Sequence, residues 1–424
     1  MAASTPPRFS PSRLLRHNLT FLTGSLAAGA FGYGYQFLAG RLLGPKGYGV
    51  VASAFAFYNL VAISLLVVVL VATRHSAALH GAGNVAGLRY LFRRLSLATL
   101  GVGVGVAAVF VALTPFLSAF LRIPAPALLA LAPAVALTLV VGVNRGFLQG
   151  AGRFEWLSAV LTSEAAGRAV FAAALVLLGL GPTGALAAVS LAMALSYLLG
   201  LAPLRALLGP GAVERQPMRG VVTFALPAVA AVGGITILYN VDIVLVKHFL
   251  SDQAGVYGSV ATLGRIVYFA TVSITGVMFP SVSAQLARGE SGRRTLELSA
   301  LAMVAICAVV VVGFAVLPNL ALLPFGAGFR AAAPYLPVFG IAMGLLSLAN
   351  LLVNYLLALD DRRFIFVMTA AVVVEVGGIS TLHASLWEVI GVVTGTLALT
   401  VLGLLVLYLN DTRVPAPAAI MEAR

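Results

Sequence analysis

The segment "NRGFLQGAGRF" (144–154) returns in altered form as "NYLLALDDRRF" (354–364), 210 positions later in a chain of 424 residues. Both segments begin with Asn and end with Arg-Phe, and each separates two long apolar runs. A turn that recurs at this distance indicates that the second half of the chain repeats the organisation of the first.

A second pair of segments supports the duplication. "YGVVAS" (48–53) returns as "YGSVAT" (257–262) at an offset of 209, and each follows a short polar turn. Chance similarity among Ala-, Leu- and Val-rich helices is the alternative. The preserved order and the nearly constant offset favour two repeats, which we place at about 1–210 and 211–424.

The composition indicates a membrane protein. Hydrophobic residues make up 61% of the chain and charged residues only 9%, whereas a soluble domain carries about 25% charged residues. The mean hydropathy is +1.06. A water-facing surface of normal size cannot be built from these residues.

Long apolar stretches recur along almost the whole chain, and about 20 such residues cross a bilayer as a helix. We therefore predict an all-α polytopic membrane protein with about twelve transmembrane helices. The longest predicted loop lies near 74–94 and has the composition of an amphipathic surface helix. The predicted spans are 18–40, 49–73, 95–121, 125–147, 156–179, 183–204, 220–246, 257–286, 296–322, 332–358, 364–383 and 387–409.

The positions of Lys and Arg predict the orientation. With the N-terminus in the cytoplasm, eighteen of them fall in cytoplasmic segments and five in outer loops. Positive residues are enriched in cytoplasmic loops, so we predict that both termini are cytoplasmic. This orientation explains the net charge of +13 without a nucleic-acid partner.

Because six spans per half is an even number, the halves are predicted to be parallel repeats, an organisation typical of transporters.

The few polar and charged residues at membrane depth are the candidate substrate pathway. Charged groups there are costly and usually face a cavity or a partner. We interpret them as a polar cleft that binds an anionic head group and in which a carboxylate could take up a proton or Na⁺. The candidates are Arg145, Glu164, Arg168, Asn240, Asp242, Arg265 and Glu375.

Most of these charged candidates also have a structural interpretation. Glu164 and Arg168 are four residues apart on one helix face and could neutralise each other. Arg145 could be an interfacial anchor. Asp242 could be solvated near the outer interface, and Arg265 could snorkel to the interface or pair with Asp242.

Glu375 differs because its own helix offers no obvious partner. It lies one position from the repeat equivalent of Glu164 at an offset of 210. An ionisable residue without a partner at this depth favours a functional role.

The chain lacks the common nucleotide and metal motifs. Its two lysines, Lys46 and Lys247, do not fit a G-x-x-x-x-G-K-[ST] phosphate loop. The five histidines form no H-E-x-x-H, and the single Cys307 shows no metal-site spacing. We therefore predict no cofactor and no metal.

Five segments occur in a characteristic order along the chain. They are "AGRLLGPKGYGVVASA" (39–54), "RGFLQGAGRF" (145–154), "NVDIVLVKHFLSDQAGVYGSVATL" (240–263), "FPSVSAQLARGE" (279–290) and "LLPFGAGFRAAAPYL" (322–336). This ordered set resembles bacterial polysaccharide-biosynthesis proteins, the oligosaccharide-lipid flippases of the multidrug/oligosaccharidyl-lipid/polysaccharide exporter superfamily. The resemblance covers about 14–409.

The resemblance implies a V-shaped, two-lobed bundle that works by alternating access. It implies movement of a polyprenyl-diphosphate-linked glycan between the leaflets of the bacterial cytoplasmic membrane, with other polysaccharide assembly proteins as partners. Asn240 and Asp242 match the span-seven motif of the family, whereas Glu375 is not a position of the family pattern. The residues that match the exit of span four are Arg145, Gln149, Gly150, Arg153 and Phe154.

Two other functions remain open at this point. A multidrug or small-cation exporter of the same superfamily would need unpaired acids and no strong cationic wall. A membrane enzyme such as a glycan polymerase normally needs a large outer loop with catalytic groups. The predicted outer loops are a few residues long, so we predict a transporter rather than an enzyme.

Overall fold

The computed structural model describes the backbone of residues 11–215 and 221–410, and the side chains of 23–215 and 229–410. Within these residues all regular secondary structure is helical. The earlier helices are α1 (Pro11–Val61), α2 (Ile63–Gly81), α3 (Val85–Leu121), α4 (Ala125–Leu129), α5 (Ala132–Gly150), α6 (Phe154–Leu175) and α7 (Gly181–Leu201). The later helices are α8 (Val221–Leu238), α9 (Val241–Phe249), α10 (Ala254–Ala287), α11 (Arg293–Val316), α12 (Pro318–Leu322), α13 (Leu336–Ala358), α14 (Phe364–Thr381) and α15 (Leu386–Leu409).

These helices confirm an all-α polytopic membrane protein. In the described residues, ten helical stretches are long and apolar enough to cross a membrane. One of them, Phe154–Leu207, contains the predicted fifth and sixth spans. The first predicted span lies in α1, which brings the total to the expected twelve. The two chain ends, which we predict to be cytoplasmic, lie outside the described residues.

Glycine and proline mark turns within the long apolar runs. Gly44 interrupts α1 with a φ of 63°, so the later part of α1, 45–61, joins α2 in the second span. Gly179 and Gly181, with φ values of 87° and 53°, separate α6 from α7. Such angles suit glycine because it has no Cβ. Pro182 lies in the first turn of α7, where its missing N–H is tolerated.

The region 74–94, which we predicted as a loop with the composition of an amphipathic surface helix, is almost entirely helical. Only 82–84 separate α2 from α3. Asn84 Oδ1 accepts a backbone N–H from the first turn of α3 at 2.7 Å, as an N-cap does. Leu91 and Phe92 are each 1% exposed, so core packing holds this part of α3 in place. The arginines in the same stretch of sequence gave no sign of this packing.

The two copies of the repeated segment form the same turn. In each copy a backbone N–H bonds to the carbonyl five residues earlier, at 2.8 Å in the first and 2.9 Å in the second, as in a Schellman cap. The left-handed residue is Gly152 in the first copy and Asp360 in the second. The next helices begin at Phe154 and Phe364. The repeat in the sequence therefore encodes one turn between two spans, used twice.

The glycines of the first copy also allow α5 to pack closely on α2. A Cβ on Gly150 would lie 2.0 Å from Ser76 Oγ, and one on Gly146 would lie 2.8 Å from the Val69 carbonyl oxygen. Small residues let transmembrane helices approach in this way. The second copy contains no glycine, so this close contact belongs to the first half alone.

The described chain divides into two compact units. The predicted halves, 1–210 and 211–424, remain a prediction, and two segments of the first half belong to the second unit. Unit 1 lies within Met1–Leu38, Ser64–Thr114 and Ala125–Val221, and unit 2 lies within Ala39–Ile63, Pro115–Pro124 and Val222–Arg424.

The core of unit 1 positions α5 against its neighbours. Phe92 of α3 and Phe147 of α5 pack edge to face with ring centroids 5.0 Å apart. The buried Asn144 side chain donates to the Tyr197 carbonyl of α7 at 3.1 Å. These contacts fix the part of α5 that carries Arg145.

Unit 2 contains the tyrosines of the second repeated pair, Tyr48 and Tyr257, and both are fully buried. The Tyr48 hydroxyl lies 2.8 Å from Thr262 Oγ1. Its ring packs edge to face on Phe325 and Phe329. The Tyr257 hydroxyl has a different partner, a carboxylate, and so becomes part of a charged site.

Candidate functional site

A buried ion pair joins α5 to α6 in unit 1. The Arg145 guanidinium donates to Glu164 Oε2, and both side chains are only 13% exposed. Arg145 therefore has an ion-pair partner within unit 1. Packing of α5 on α6 brings its side chain to Glu164, which is nineteen positions away in sequence.

Arg168 adds a second positive charge to this pair. It lies one helical turn beyond Glu164 on α6, and both arginines act electrostatically on the Glu164 carboxylate. Glu164 therefore has two basic neighbours rather than Arg168 alone. We call Arg145, Glu164 and Arg168 the arginine cluster. The cluster thus contains two arginines and one glutamate.

The arginine cluster retains hydrogen-bonding capacity. Arg145 Nε is buried and has no hydrogen-bond partner among the described residues. A buried donor without a partner is costly. A bound anion would satisfy it, because a guanidinium suits bidentate contacts to phosphate or carboxylate oxygens.

The other residues of the span-four exit motif hold helix ends together. Gln149 Oε1 accepts a hydrogen bond from the Thr73 hydroxyl at 3.3 Å. The Arg153 guanidinium donates to the Pro203 carbonyl at 2.7 Å. Phe154 packs against the apolar core of unit 1. These contacts do not involve the arginine cluster.

The seventh span is interrupted inside unit 2, where Tyr239 and Asn240 separate α8 from α9. Asn240 is 1% exposed. Its side-chain N–H donates to the Thr236 carbonyl at 2.8 Å, and its Oδ1 accepts from Asn59 at 3.4 Å. Polar groups freed by a helix break at membrane depth need such partners.

Asp242 lies in the first turn of α9 and is 1% exposed. Its Oδ1 accepts the Ile243 N–H at 2.7 Å, and its Oδ2 accepts the Tyr257 hydroxyl at 2.7 Å. Asp242 is therefore not solvated at the outer interface. A backbone N–H at the start of α9 and a tyrosine hydroxyl satisfy its two oxygens instead.

Arg265 of α10 adopts an arrangement that we did not predict. Its guanidinium donates to the Tyr239 carbonyl at the helix break and lies 4.1 Å from the centroid of the Tyr239 ring. Arg265 is 8% exposed, so it does not snorkel. It acts electrostatically on Asp242, but among the described residues Arg265 and Asp242 do not form an ion pair.

Glu375 of α14 completes this group. It is fully buried, and neither carboxyl oxygen has a hydrogen-bond partner among the described residues. The charge of Asp242 acts on it. We call Asp242, Tyr257, Arg265 and Glu375 the carboxylate cluster. With both carboxyl groups ionised, one arginine would balance only one of them.

Sequence reasoning missed the two tyrosines of this site. Tyr257 was visible as part of the repeated "YGSVAT", but nothing local showed that its hydroxyl meets Asp242. Tyr239 gave no signal, because the apolar run around it looks continuous.

As for metals, no group of three or more His, Cys, Asp or Glu side chains is assembled in the described ranges.

The fold is similar to solved structures of MATE transporters. An inward-facing multidrug resistance MATE family transporter of the MOP superfamily aligns with a TM-score of 0.74 and 13% identity, covering 89% of this chain and 93% of that one. The MATE multidrug transporter DinF-BH aligns with a TM-score of 0.65 and 15% identity, covering 97% and 98%. A MOP superfamily transporter from Pyrococcus furiosus, described as having a binding pocket of reverse polarity, aligns with a TM-score of 0.61 and 15% identity, covering 93% of each chain. At these identities the likeness concerns the fold alone.

The sequence also matches a family model. No curated protein matches it. The model described as "Polysaccharide biosynthesis protein" matches residues 14–285, which is more than half of the chain. The match includes the first copy of the repeated segment and the span-seven motif. This chain belongs to the polysaccharide biosynthesis protein family.

Proposed function

We propose that this chain moves a polyprenyl-diphosphate-linked oligosaccharide across the bacterial cytoplasmic membrane, with both of its termini in the cytoplasm. The two repeats, 1–210 and 211–424, rock against each other and give alternating access. The chain is a transporter and catalyses no covalent step. The family and the MATE-like fold support this class of function, and the charged clusters support the substrate.

The arginine cluster is the observation that carries this proposal. A diphosphate is a compact, strongly anionic group, and arginine binds phosphate oxygens through charge-assisted hydrogen bonds. Such contacts gain strength in surroundings of low dielectric constant. Within the cluster two arginines accompany one glutamate, and the buried Arg145 Nε has no hydrogen-bond partner among the described residues, so it can donate to an anion.

The carboxylate cluster supplies a place for a coupling cation. Asp242 already accepts two hydrogen bonds, whereas Glu375 accepts none in the described residues. If Asp242 and Glu375 together took up one H⁺ or one Na⁺, the remaining single negative charge would balance the positive charge of Arg265. An ion gradient could drive transport through this site without any cofactor.

Transport in proteoliposomes tests the substrate. A fluorescent polyprenyl-diphosphate oligosaccharide is placed in the outer leaflet, and its movement is followed with a membrane-impermeant quencher. We expect Arg168→Gln to slow movement about tenfold, the effect of one lost charge-assisted contact. Arg330→Gln removes an exposed arginine and is the matched control.

Each result has a definite meaning. If wild type moves no glycolipid while a known flippase does so under the same conditions, the proposed function is wrong. If wild type moves it and both variants are equally fast, the function stands and the arginine cluster is not its substrate site.

The second candidate is a multidrug or small-cation antiporter. One observation favours it: the buried Glu375 carboxyl has no hydrogen-bond partner within the described ranges, and it could bind an organic cation. Uptake of a fluorescent organic cation into the same vesicles tests it. Uptake that competes with the coupling ion, together with no movement of glycolipid, would replace the first proposal by this one.

We also propose that other polysaccharide assembly proteins are partners, because a lipid-linked glycan must be supplied at one membrane face and consumed at the other. Crosslinking in intact cells, followed by mass spectrometry, tests this. Recovery of glycosyltransferases or polymerases with this chain would support the proposal. Recovery of the same proteins with an unrelated membrane protein would contradict it.

A further inference from the structure

The chain just beyond α7 is tied to the first turns of α3 in unit 1. Arg93 of α3 donates through Nε to the Leu207 carbonyl at 3.2 Å and through Nη2 to the Leu208 carbonyl at 2.8 Å. A few residues later the Asn84 side chain donates to Glu214 Oε2 at 2.7 Å. Both ends of this stretch therefore have a fixed position on the start of α3.

A second arginine of α3 packs against the same stretch. Arg89 lies one helical turn before Arg93, so the two side chains are neighbours on one face of α3. A Cβ on Gly211 would collide with the Arg89 guanidinium, which shows how closely the two residues approach. Arg89 Nε is buried and has no hydrogen-bond partner within the described ranges. Packing against the chain beyond α7 thus sets the position of this guanidinium.

Two more arginines lie on the same stretch. Arg153, in the turn between α5 and α6, donates to the Pro203 carbonyl at 2.7 Å, and Arg205, two positions after Pro203, is exposed. We call these four arginines the basic patch: Arg89, Arg93, Arg153 and Arg205. In the part of the chain that the structure describes, none of the four forms an ion pair. Glu214, the acid of this stretch, accepts its hydrogen bond from Asn84 instead.

The basic patch lies where a membrane span ends. The helical stretch Phe154–Leu207 is long and apolar enough to cross a membrane, and the contacts of the patch begin at its last turns. Two apolar side chains project from the same stretch, since Leu208 is 47% and Val213 is 48% exposed. Exposed apolar side chains next to arginines are typical of a segment that rests at the headgroup level of a bilayer.

An anionic phospholipid has the chemistry that suits this surface. Guanidinium groups donate charge-assisted hydrogen bonds to phosphate oxygens, and clusters of basic residues directly beyond a span bind anionic lipids. We propose that the basic patch binds the phosphate group of an anionic phospholipid, with Leu208 and Val213 against its acyl chains. In the proposed orientation the lipid belongs to the cytoplasmic leaflet. The site is separate from the arginine cluster and would bind this lipid whatever molecule the chain transports.

The fixed positions of the arginines distinguish this proposal from a simple bias of positive charge. Orientation in the membrane depends on how many basic residues a loop contains. It does not require that Arg93 bind backbone carbonyls or that Gly211 lie against Arg89. A lipid site does require such positions, because a phosphate group is recognised by donors held in place.

Native mass spectrometry of the purified full chain measures the binding of single lipids. We expect phosphatidylglycerol to bind more tightly than phosphatidylcholine. Arg89→Gln should weaken phosphatidylglycerol binding about tenfold, the effect of one lost charge-assisted contact. Arg294→Gln is the matched control, because it removes an exposed arginine of unit 2 in another predicted cytoplasmic segment. Equal losses in the two variants would mean general attraction of lipid to positive charge and would overturn the proposal.

Gly211→Ala tests the geometry at constant charge. The added Cβ would displace the Arg89 guanidinium, so phosphatidylglycerol binding should weaken although every arginine remains. Unchanged binding would show that the lipid responds to net charge alone, and the positioned site would be wrong. Thermal unfolding checks that the variants are folded. Arg89→Gln decides the matter if Gly211→Ala does not fold.

Inorganic pyrophosphate distinguishes a lipid site from a site for free phosphate. Because pyrophosphate has no acyl chains, it should displace phosphatidylglycerol only at a large excess. Displacement at equal concentrations would mean that the patch recognises phosphate alone, which would overturn the assignment to a lipid. Equal affinities for phosphatidylglycerol and phosphatidylcholine would show that the basic patch is not a site for anionic lipid.

Discussion

The arginine cluster of unit 1 and the carboxylate cluster of unit 2 contain the same types of charged residue in opposite proportions. In unit 1 two arginines surround one glutamate, and the carboxylate is ion-paired. In unit 2 one arginine accompanies two carboxyl groups, and Glu375 has no hydrogen-bond partner in the described residues. The first cluster is suited to an anion and the second to a cation.

The predicted internal repeat allows the two clusters to be compared position by position. At an offset of 210, the two arginines of unit 1 correspond to Tyr355 and Gly378, whereas Glu375 lies one position from the equivalent of Glu164. The second half has kept an acid near this helix position but neither of its basic partners. The two predicted halves thus share a turn but differ in their buried charges, in line with the proposed separation of substrate and coupling ion.

The largest expected effect comes from breaking the ion pair of unit 1. Arg145→Ala leaves the largely buried Glu164 with Arg168 as its only basic neighbour in the cluster, and should lower the free energy of unfolding by about 3 kcal/mol, the lower end for a broken buried pair. Unfolding of the purified protein in mixed micelles measures it. The double variant Arg145→Met with Glu164→Leu should recover most of the loss. A double variant as unstable as the single one would mean that packing, rather than charge, holds α5 on α6.

The repeated tyrosines allow a direct comparison of hydrogen bonds. Tyr257→Phe removes a bond to the Asp242 carboxylate and should cost about 1.5–3 kcal/mol of unfolding free energy, as for bonds to charged groups. Tyr48→Phe removes a bond to the Thr262 hydroxyl and should cost only about 0.5–1.5 kcal/mol. The same unfolding assay compares them. Equal losses would indicate that Asp242 carries no charge in this state.

A smaller effect is expected on coupling. Glu375→Gln keeps the shape of the side chain but cannot take up a cation, so transport driven by an imposed gradient should fall about tenfold, equivalent to about 1.4 kcal/mol. Exchange without a gradient should be unchanged. Separate H⁺ and Na⁺ gradients in proteoliposomes identify the ion.

The matched control for this variant is Glu290→Gln. Glu290 is exposed and lies outside the spans, where a hydrogen bond from Arg288 lowers its pKa. Its replacement should leave gradient-driven transport at the wild-type rate. A loss equal to that of Glu375→Gln would show that removal of any carboxylate slows transport, and the carboxylate cluster would not be the coupling site.

The smallest effects concern the two copies of the repeated turn. Gly152→Ala should lower the free energy of unfolding by about 1 kcal/mol, because a Cβ is unfavourable at its positive φ. Asp360→Gly relieves the same strain in the second copy and should change stability by less than about 1 kcal/mol in the favourable direction. Thermal unfolding of both variants checks the signs. A destabilised Asp360→Gly would show that the Asp360 side chain contributes to its turn.

The spans and their turns could be predicted from the sequence because they depend on local properties: apolar length, glycine and proline. Glu375 could be singled out for the same reason, since its own helix contains no partner. The Arg145–Glu164 pair could not, because it depends on how α5 packs against α6. The break at Tyr239 and Asn240 was also missed. It is stabilised by partners from other helices rather than by a breaker residue.

That break has a consequence for the biogenesis of the protein. α9 has nine residues and at 1.5 Å per residue is too short to cross a hydrocarbon core of about 30 Å. α8 and α9 must therefore enter the bilayer as one continuous segment. The partner of the Tyr239 carbonyl, Arg265, is synthesised later, within α10. The seventh span should insert as a straight helix and acquire its break only after the eighth has followed it into the membrane.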